Sequence, residues 1–174
     1  MKLKGGPTQD EIMAISLYKV GLRHGDAFAD IGCGTGKVAV YASRTAEMVY
    51  AVDRRKEAIE RARQNAIEAG ASNVRFFEGD SLDFLGGIES LDCAFVGGTK
   101  RLEETLEALS KKVSGNIVVN AVRVEALNEA ILTMKRLGIF KEALHVQVSR
   151  SYDIGGGTMF RPIDPVYIIV GGKL

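Results

Sequence analysis

The sequence predicts an α/β fold: a mostly parallel seven-stranded sheet with helices on both faces, closed by an antiparallel pair of strands at the C-terminal end. Three observations predict it. Short apolar runs alternate with helical periodicities up to Gly138, which implies parallel pairing through helical crossovers. Acidic residues recur where the first three of those runs stop, at Asp30, Asp53 and Asp80. Beyond Gly138 two strand-like runs follow without a helix between them, so that pair should be antiparallel.

The elements follow in order. Thr8 and Glu11 have the S/T-x-x-E spacing of a capping box, Pro7 precedes them, and Ile12, Ile15, Val20 and Leu22 follow among polar residues; a helix is expected over about residues 9 to 22. "DAFADI" reads as strand one, "KVAVYASR" as a short helix, and "MVYAVD" as strand two. A helix from about Lys56 to Ala69 puts Ala58, Ile59, Ala62, Ala66 and Ile67 on its apolar side and stops at Gly70. "NVRFFEGD" is strand three. After "SLDFLGGIES" come strand four, "LDCAFVGG", the helix "RLEETLEALSKK", strand five, "GNIVVNAV", and the helix "VEALNEAILTMKRLG". "EALHVQVSRSY" and "PVYIIVGG" are the last two strands, joined by "DIGGGTMFRPID".

A chain of 174 residues is long enough for one domain, residues 1–174, that buries about 70% of its unfolded surface. No repeat, linker or low-complexity tract divides it. With 46% hydrophobic residues but no apolar run near the roughly 18 a membrane span needs, and no apolar segment in "MKLKGGPTQDE", a cytoplasmic location is expected. Cys33 and Cys93 form no C-x-x-C pair, so neither a disulfide framework nor a metal site is expected. A net charge of +1 gives no general reason to expect nucleic-acid binding.

The informative stretch is "FADIGCGTGK", residues 28 to 37. A dinucleotide fingerprint would need glycine at 37 and has Lys37; a P-loop would need glycine at 31 and Ser or Thr at 38, and has Ile31 and Val38. What remains is D-x-G-x-G-x-G between a strand and a helix. Glycine there permits positive φ and lets a ligand approach the backbone more closely than a Cβ would allow. Asp30 makes the loop less welcoming to phosphate and better suited to hydroxyls or a cationic group. In an open α/β sheet ligands sit beyond the carboxyl ends of the strands near strand one. Gly32, Gly34 and Gly36 fall there. So do Asp53, where a carboxylate can take both hydrogen bonds of a ribose diol, and Asp80 with Ser81 after strand three. Together they outline a nucleoside pocket.

"DIGCGTG", then Asp53, then "EGDS", in a seven-strand layout with an antiparallel ending, resembles the Rossmann-like class I S-adenosylmethionine-dependent methyltransferases. A narrower resemblance covers nearly the whole chain. "GGPTQDEI", "DIGCGTGKVAV", "AVDRRKEAIERARQNA", "FVGGTKRLEE" and "GGGTMFRPIDPVYII" are similar to the decarboxylating cobalt-precorrin-6B carbon-15 methyltransferases of cobalamin biosynthesis. The resemblance implies S-adenosylmethionine as cofactor, held by Thr8, Asp30, the loop Gly32, Cys33, Gly34, Thr35 and Gly36, and by Asp53, Asp80 and Ser81. It implies methyl transfer to a ring carbon of a tetrapyrrole with loss of carbon dioxide from a neighbouring acetate arm. A homotetramer held in part by the hairpin between the last strands is also implied, and a separate carbon-5 methyltransferase is a conceivable partner. Two positions depart from the family pattern: Lys37 replaces a small residue, and "GDSLD" lacks a proline.

Attack by an electron-rich ring carbon on a methyl sulfonium needs alignment more than a strong base. No catalytic residue is assigned. His24 in "LRHGD" and His145, out of phase with Leu144, Val146 and Val148, read as solvated or structural. A polycarboxylate substrate calls for local cations, and Lys100, Arg123, Arg150 and Arg161 are the candidates. Cobalt would arrive with the substrate, since no His/Cys cluster has ligand spacing. Three rival readings are an RNA or protein methyltransferase, a non-catalytic cofactor-binding subunit and a nicotinamide dehydrogenase. The first usually carries an Asn- or Asp-Pro-Pro-aromatic motif after strand four, where "FVGGT" stands; "DPVY" opens the last strand instead.

Overall fold

The structure, a computed structural model, describes residues 8–173. Pro7 and the residues before it lie outside that range. Six helices and nine strands follow in the order α1 Asp10–Val20, β1 Ala27–Ile31, α2 Lys37–Ala42, β2 Met48–Asp53, α3 Lys56–Glu68, β3 Val74–Glu78, α4 Ser81–Gly87, β4 Cys93–Val96, α5 Leu102–Lys112, β5 Asn116–Ala121, α6 Val124–Arg136, β6 Phe140–Val146, β7 Ser149–Ile154, β8 Gly157–Pro162 and β9 Val166–Gly172. Seven strands form one sheet in the order β3-β2-β1-β4-β5-β9-β6. β1 to β5 pair in parallel, and β9 runs antiparallel between β5 and β6.

The central strands are apolar on both faces because both faces are covered. On one, Phe28, Val49, Ala51 and Phe95 pack against Ile12 and Val20 of α1, Val38 and Ala39 of α2, and Ile59 and Ala62 of α3. On the other, Ile31, Val96 and Val119 pack against Phe84 of α4, Leu102, Leu106 and Leu109 of α5, and Ala130 and Met134 of α6. Each such large side chain removed from water contributes about 1.5–3 kcal/mol.

Four local expectations are corrected. The capping box does not form: α1 starts at Asp10 after Gln9, with no side-chain cap, and ends on left-handed Gly21, φ 69°. Glu11 is drawn instead to Arg150 at 2.7 Å, and the Thr8 carbonyl accepts from Lys37 Nζ at 2.8 Å. Ile67 lies 74% exposed, one position past the buried stripe Ala58, Ile59, Ala62, Ala66. "SLDFLGGIES" contains α4, capped by Asp80, whose carboxylate accepts from the Leu82 N–H at 2.9 Å. The sixth predicted strand is two strands: β6 ends at Val146, and β7 leaves the sheet to pair only with β8 through a tight turn at Gly155 and Gly156, φ 59° and 84°.

Candidate functional site

The strand order reverses beside β1, whose successor β2 lies on one side and β4 on the other. At the carboxyl ends of these strands opens a cleft of about 830 Å³, the size expected of a small-molecule site. Thr8, Asp30, Gly32, Cys33, Gly34, Thr35, Asp53, Asp80 and Ser81 all line it, as do Lys100 and Arg123. Gly36, Arg150 and Arg161 are outside the lining. Arg150 pairs with Glu11, and the Arg161 guanidinium lies 4.7 Å from the Tyr152 ring centre on the hairpin β7–β8.

The loop from Gly32 to Gly36 is shaped by its neighbours as well as by any ligand. Gly32, φ 78°, lies so close to the loop after β4 that a Cβ would stand 2.6 Å from the Gly98 nitrogen. Gly36, φ 74°, rests on α3, where a Cβ would meet that of Ala62 at 2.8 Å. Gly34, φ 55°, is less crowded, a Cβ there meeting only Arg55 Nη2 at 3.9 Å, and its N–H donates to Asp53 Oδ2 at 3.0 Å. Thus the outer glycines permit packing, and the middle one leaves the backbone open to the cleft. Gly36 N–H closes the turn on the Cys33 carbonyl at 2.8 Å.

Asp53 ends β2 almost fully buried. Its Oδ1 accepts the backbone N–H and the Nε of Arg55, and its Oδ2 accepts Gly34 N–H and Arg55 Nη2, each at 3.0 Å. Burial raises the carboxyl's pKa, but the Arg55 side chain, the two backbone N–H groups and the Arg55 charge outweigh it, so Asp53 stays below the ordinary carboxylate value. It is an anion at neutral pH. Asp30, 1% exposed, behaves oppositely. Burial pushes its carboxyl up to about 7, with the Ala39 N–H opposing and the Asp53 charge adding to the rise. Its Oδ2 accepts that N–H at 3.0 Å, while Oδ1 is buried without a partner. Burial, with Asp30 and Asp53 beside it, also raises the Cys33 thiol's pKa far above its ordinary value, so no thiolate nucleophile is available there.

At the other side, Ser81 Oγ lies 3.1 Å from Thr105 Oγ1, and Asp80 also pairs with Arg101 Nη1 at 3.5 Å. Lys100 and Arg123 make no ion pair among the described residues, which leaves both cations for a ligand. His24 is exposed and His145 stacks on Tyr167 with ring centres 4.8 Å apart, both away from the cleft lining. Lys37 binds the Thr8 carbonyl and Asp10 at 2.7 Å, tying the start of α1 to the start of α2 over the loop.

Sequence reasoning missed three parts of the site. Arg55 shares Asp53; its place two residues after the acid was the available signal. Gly97 and Gly98 provide the backbone on which Gly32 lies, and "FVGG" hinted at a second close approach. Asn120 lines the cleft from β5 with a buried side-chain atom lacking a partner, and nothing in "VVNAV" pointed to it.

Comparison with known proteins gives consistent matches. A family profile described as "Precorrin methyltransferase domain" matches residues 2–172. Proteins of Methanosarcina acetivorans and Sulfolobus acidocaldarius, both named "Probable cobalt-precorrin-6B C(15)-methyltransferase (decarboxylating)", are 50% and 36% identical to it. The first alignment covers 99% of this chain and 97% of the relative; the second covers 95% and 90%. Among solved structures, a precorrin 8W decarboxylase from Methanobacterium thermoautotrophicum superposes with a TM-score of 0.93 at 32% identity, over 97% of this chain and 92% of that one. A precorrin-6y C5,15-methyltransferase from Geobacter metallireducens gives 0.92 at 28% identity, over 99% and 94%.

Proposed function

We infer the reaction from one premise: this chain belongs to the precorrin methyltransferase family. It is a methyltransferase that transfers a methyl group to carbon 15 of a cobalt-precorrin of the 6B type, with decarboxylation of the neighbouring acetate side chain, in cobalamin biosynthesis. S-adenosylmethionine fills the cleft beside β1. The observation that carries this reading is that one cleft of about 830 Å³ gathers the glycine loop, the anionic Asp53, and Asp80 with Ser81.

The donor set fits the cofactor. Asp53, anionic, is the acceptor for a ribose diol, whose hydroxyls would take the place of the Arg55 guanidinium that now shares the carboxylate; Gly34 lets a ligand come against the backbone; Asp80 and Ser81 flank the base. Thr8, Cys33 and Thr35 complete the wall around the amino-acid part, and Gly32 and Gly36 hold the loop in shape. When bound, the cofactor supplies an electrophilic methyl on a positive sulfur. This chain's residues bind, orient and exclude water; alignment supplies much of the acceleration in such transfers. Lys100 and Arg123, both on the lining and free of ion pairs among the described residues, hold substrate carboxylates. Arg150 and Arg161, on the hairpin, do not reach this cleft.

The chain acts as one domain in the cytoplasm and assembles as a homotetramer through the hairpin, whose strands carry exposed Ile154, Met159 and Phe160. A separate carbon-5 methyltransferase supplies the companion activity. The decisive experiment is mass spectrometry of cobalt-precorrin-6B incubated with the purified protein and S-adenosylmethionine. A product with one methyl more and one carbon dioxide less is expected. An unchanged substrate, with cofactor binding verified in parallel, would redirect the search to RNA or protein acceptors.

A further inference from the structure

The Asp53 carboxylate meets the cleft through Arg55. Its own side chain is only 4% exposed, whereas the Arg55 side chain that spans both of its oxygens is 34% exposed and lines the cleft. The four donors on this carboxylate are of two kinds. The Gly34 N–H on Oδ2 and the Arg55 N–H on Oδ1 belong to the backbone, fixed by the glycine loop and by the start of α3. The others are side-chain donors, Arg55 Nε on Oδ1 and Nη2 on Oδ2. Each oxygen therefore has one donor that stays and one that can leave. A carboxylate oxygen has about two lone-pair sites, so with a backbone N–H on each oxygen one site remains on each. A vicinal diol brings two hydroxyl donors, one for each oxygen, and the guanidinium fork brings the same pairing. The two compete for the same places.

We propose that Arg55 is a latch on the cofactor site: its guanidinium stands in for the ribose diol on Asp53 and must swing away before the nucleoside binds, so that Arg55 sets the cleft's affinity for its cofactor. The inference rests on the reading that S-adenosylmethionine fills this cleft. Arg55 Nη2 lies 3.9 Å from where a Cβ on Gly34 would stand, so the guanidinium occupies space against the glycine loop. When it leaves, the two backbone N–H groups still orient Asp53. Stripping one partner from a buried charge pair is costly, and here the hydroxyls replace the lost donor at each oxygen. Glu57, exposed in the first turn of α3 and off the cleft lining, offers the released guanidinium another carboxylate. The Asp53 hydrogen bond is the largest influence raising the Arg55 pKa, and the Glu57 charge adds to it. The long side chain also regains rotamer freedom on release. An internal competitor of this kind weakens methyl donor and spent cofactor alike, because both carry the ribose.

Calorimetry on the purified chain tests the latch with S-adenosylhomocysteine, adenosine and 2′,3′-dideoxyadenosine, which keeps the base and lacks the diol. Arg55→Ala should tighten the first two by the same factor, about tenfold, and leave the third unchanged. Arg55→Lys, whose ammonium is a point charge and not a fork, should tighten them less and serves if Arg55→Ala does not fold. In an Asp53→Ala chain, adding Arg55→Ala should change nothing, because no fork remains to displace. Unchanged or weaker binding of S-adenosylhomocysteine by Arg55→Ala would overturn the latch. So would an equal gain for the dideoxynucleoside, which would make Arg55 a steric obstacle only, or a gain that survives Asp53→Ala. If neither the wild type nor the Arg55 variants bind S-adenosylhomocysteine, the cofactor reading itself fails, an outcome distinct from all the others.

Discussion

Asp53 and Asp30 show how two carboxylates 23 residues apart in sequence acquire opposite chemistry from their surroundings. Arg55 and two backbone N–H groups keep Asp53 ionised; Asp30 has one N–H and otherwise only burial. Asp53→Ala should weaken adenosine binding by about tenfold or more, the value of hydrogen bonds to a charged group, and leave the circular-dichroism spectrum unchanged. Unchanged affinity would take the ribose away from Asp53. For Asp30 the sign follows from its folded value of about 7 against 3.8 when exposed. Between these values the folded chain retains a proton that the unfolded chain has released. Stability therefore falls as pH rises through that window, and stays lowered above it. Asp30→Asn, which cannot ionise, should gain about 2–3 kcal/mol relative to wild type on going from pH 5 to pH 8 in urea unfolding. A gap that does not change with pH would mean the carboxyl is not buried as described. At Gly36 the backbone is left-handed and a Cβ would strike Ala62, so Gly36→Ala should cost about 2–4 kcal/mol. Gly70→Ala, equally left-handed but in open space, should cost only about 1 kcal/mol, both read from urea unfolding.

At the scale of elements, the hairpin β7–β8 stands apart. Its two strands pair with each other alone, and nearly all of their residues are exposed. An isolated two-stranded hairpin is at best marginally stable in water. Here Arg150 anchors one strand to α1 through Glu11, and the Ile163 N–H donates to the Val148 carbonyl at 2.9 Å beyond its base. Exposed Ile154, Met159 and Phe160 are an apolar surface suited to a second copy. Sedimentation should find the native chain as an oligomer and the Met159→Lys, Phe160→Lys double variant at a lower state, with a far-UV spectrum that reports intact helices. An unchanged assembly would remove the hairpin from the interface. Helix α4 illustrates the other side of legibility: seven residues ending in Gly86–Gly87 are too short for a helical period to register, yet Asp80 caps them and Phe84 and Leu85 anchor them.

On the scale of the whole molecule, two apolar layers flank one sheet and leave the carboxyl ends of β1, β2 and β4 to form the cleft. Charge is evenly balanced, at +1 overall, so non-specific binding to nucleic acid has little electrostatic drive. Transfer RNA should therefore show no gel shift at protein concentrations up to about 1 μM in 0.15 M salt. A tight complex that weakens steeply with salt would point to a basic surface and an RNA substrate. No helix of the described residues is long and apolar enough to cross a membrane.

The order of strands and helices, the glycine loop, and the acids at strand ends could be read from the sequence because each is a local rule. Apolar periodicity marks the elements, and positive φ selects glycine at Gly32, Gly34 and Gly36. The chain's resemblance to the family rested on the same local strings. Tertiary structure alone decided the rest, since it depends on contacts between residues distant in sequence. Only there does Glu11 prefer Arg150 to its own helix end, and Gly32 come to lie against the Gly98 backbone, where no Cβ would fit. Asp53 shares its charge with Gly34, and the Ser16 hydroxyl meets Asn120 Oδ1 across 104 positions. A single pattern along the chain cannot encode which partner wins a carboxylate or an amide. That choice is made by burial, where each unpaired polar atom is costly and the nearest available partner is set by the fold.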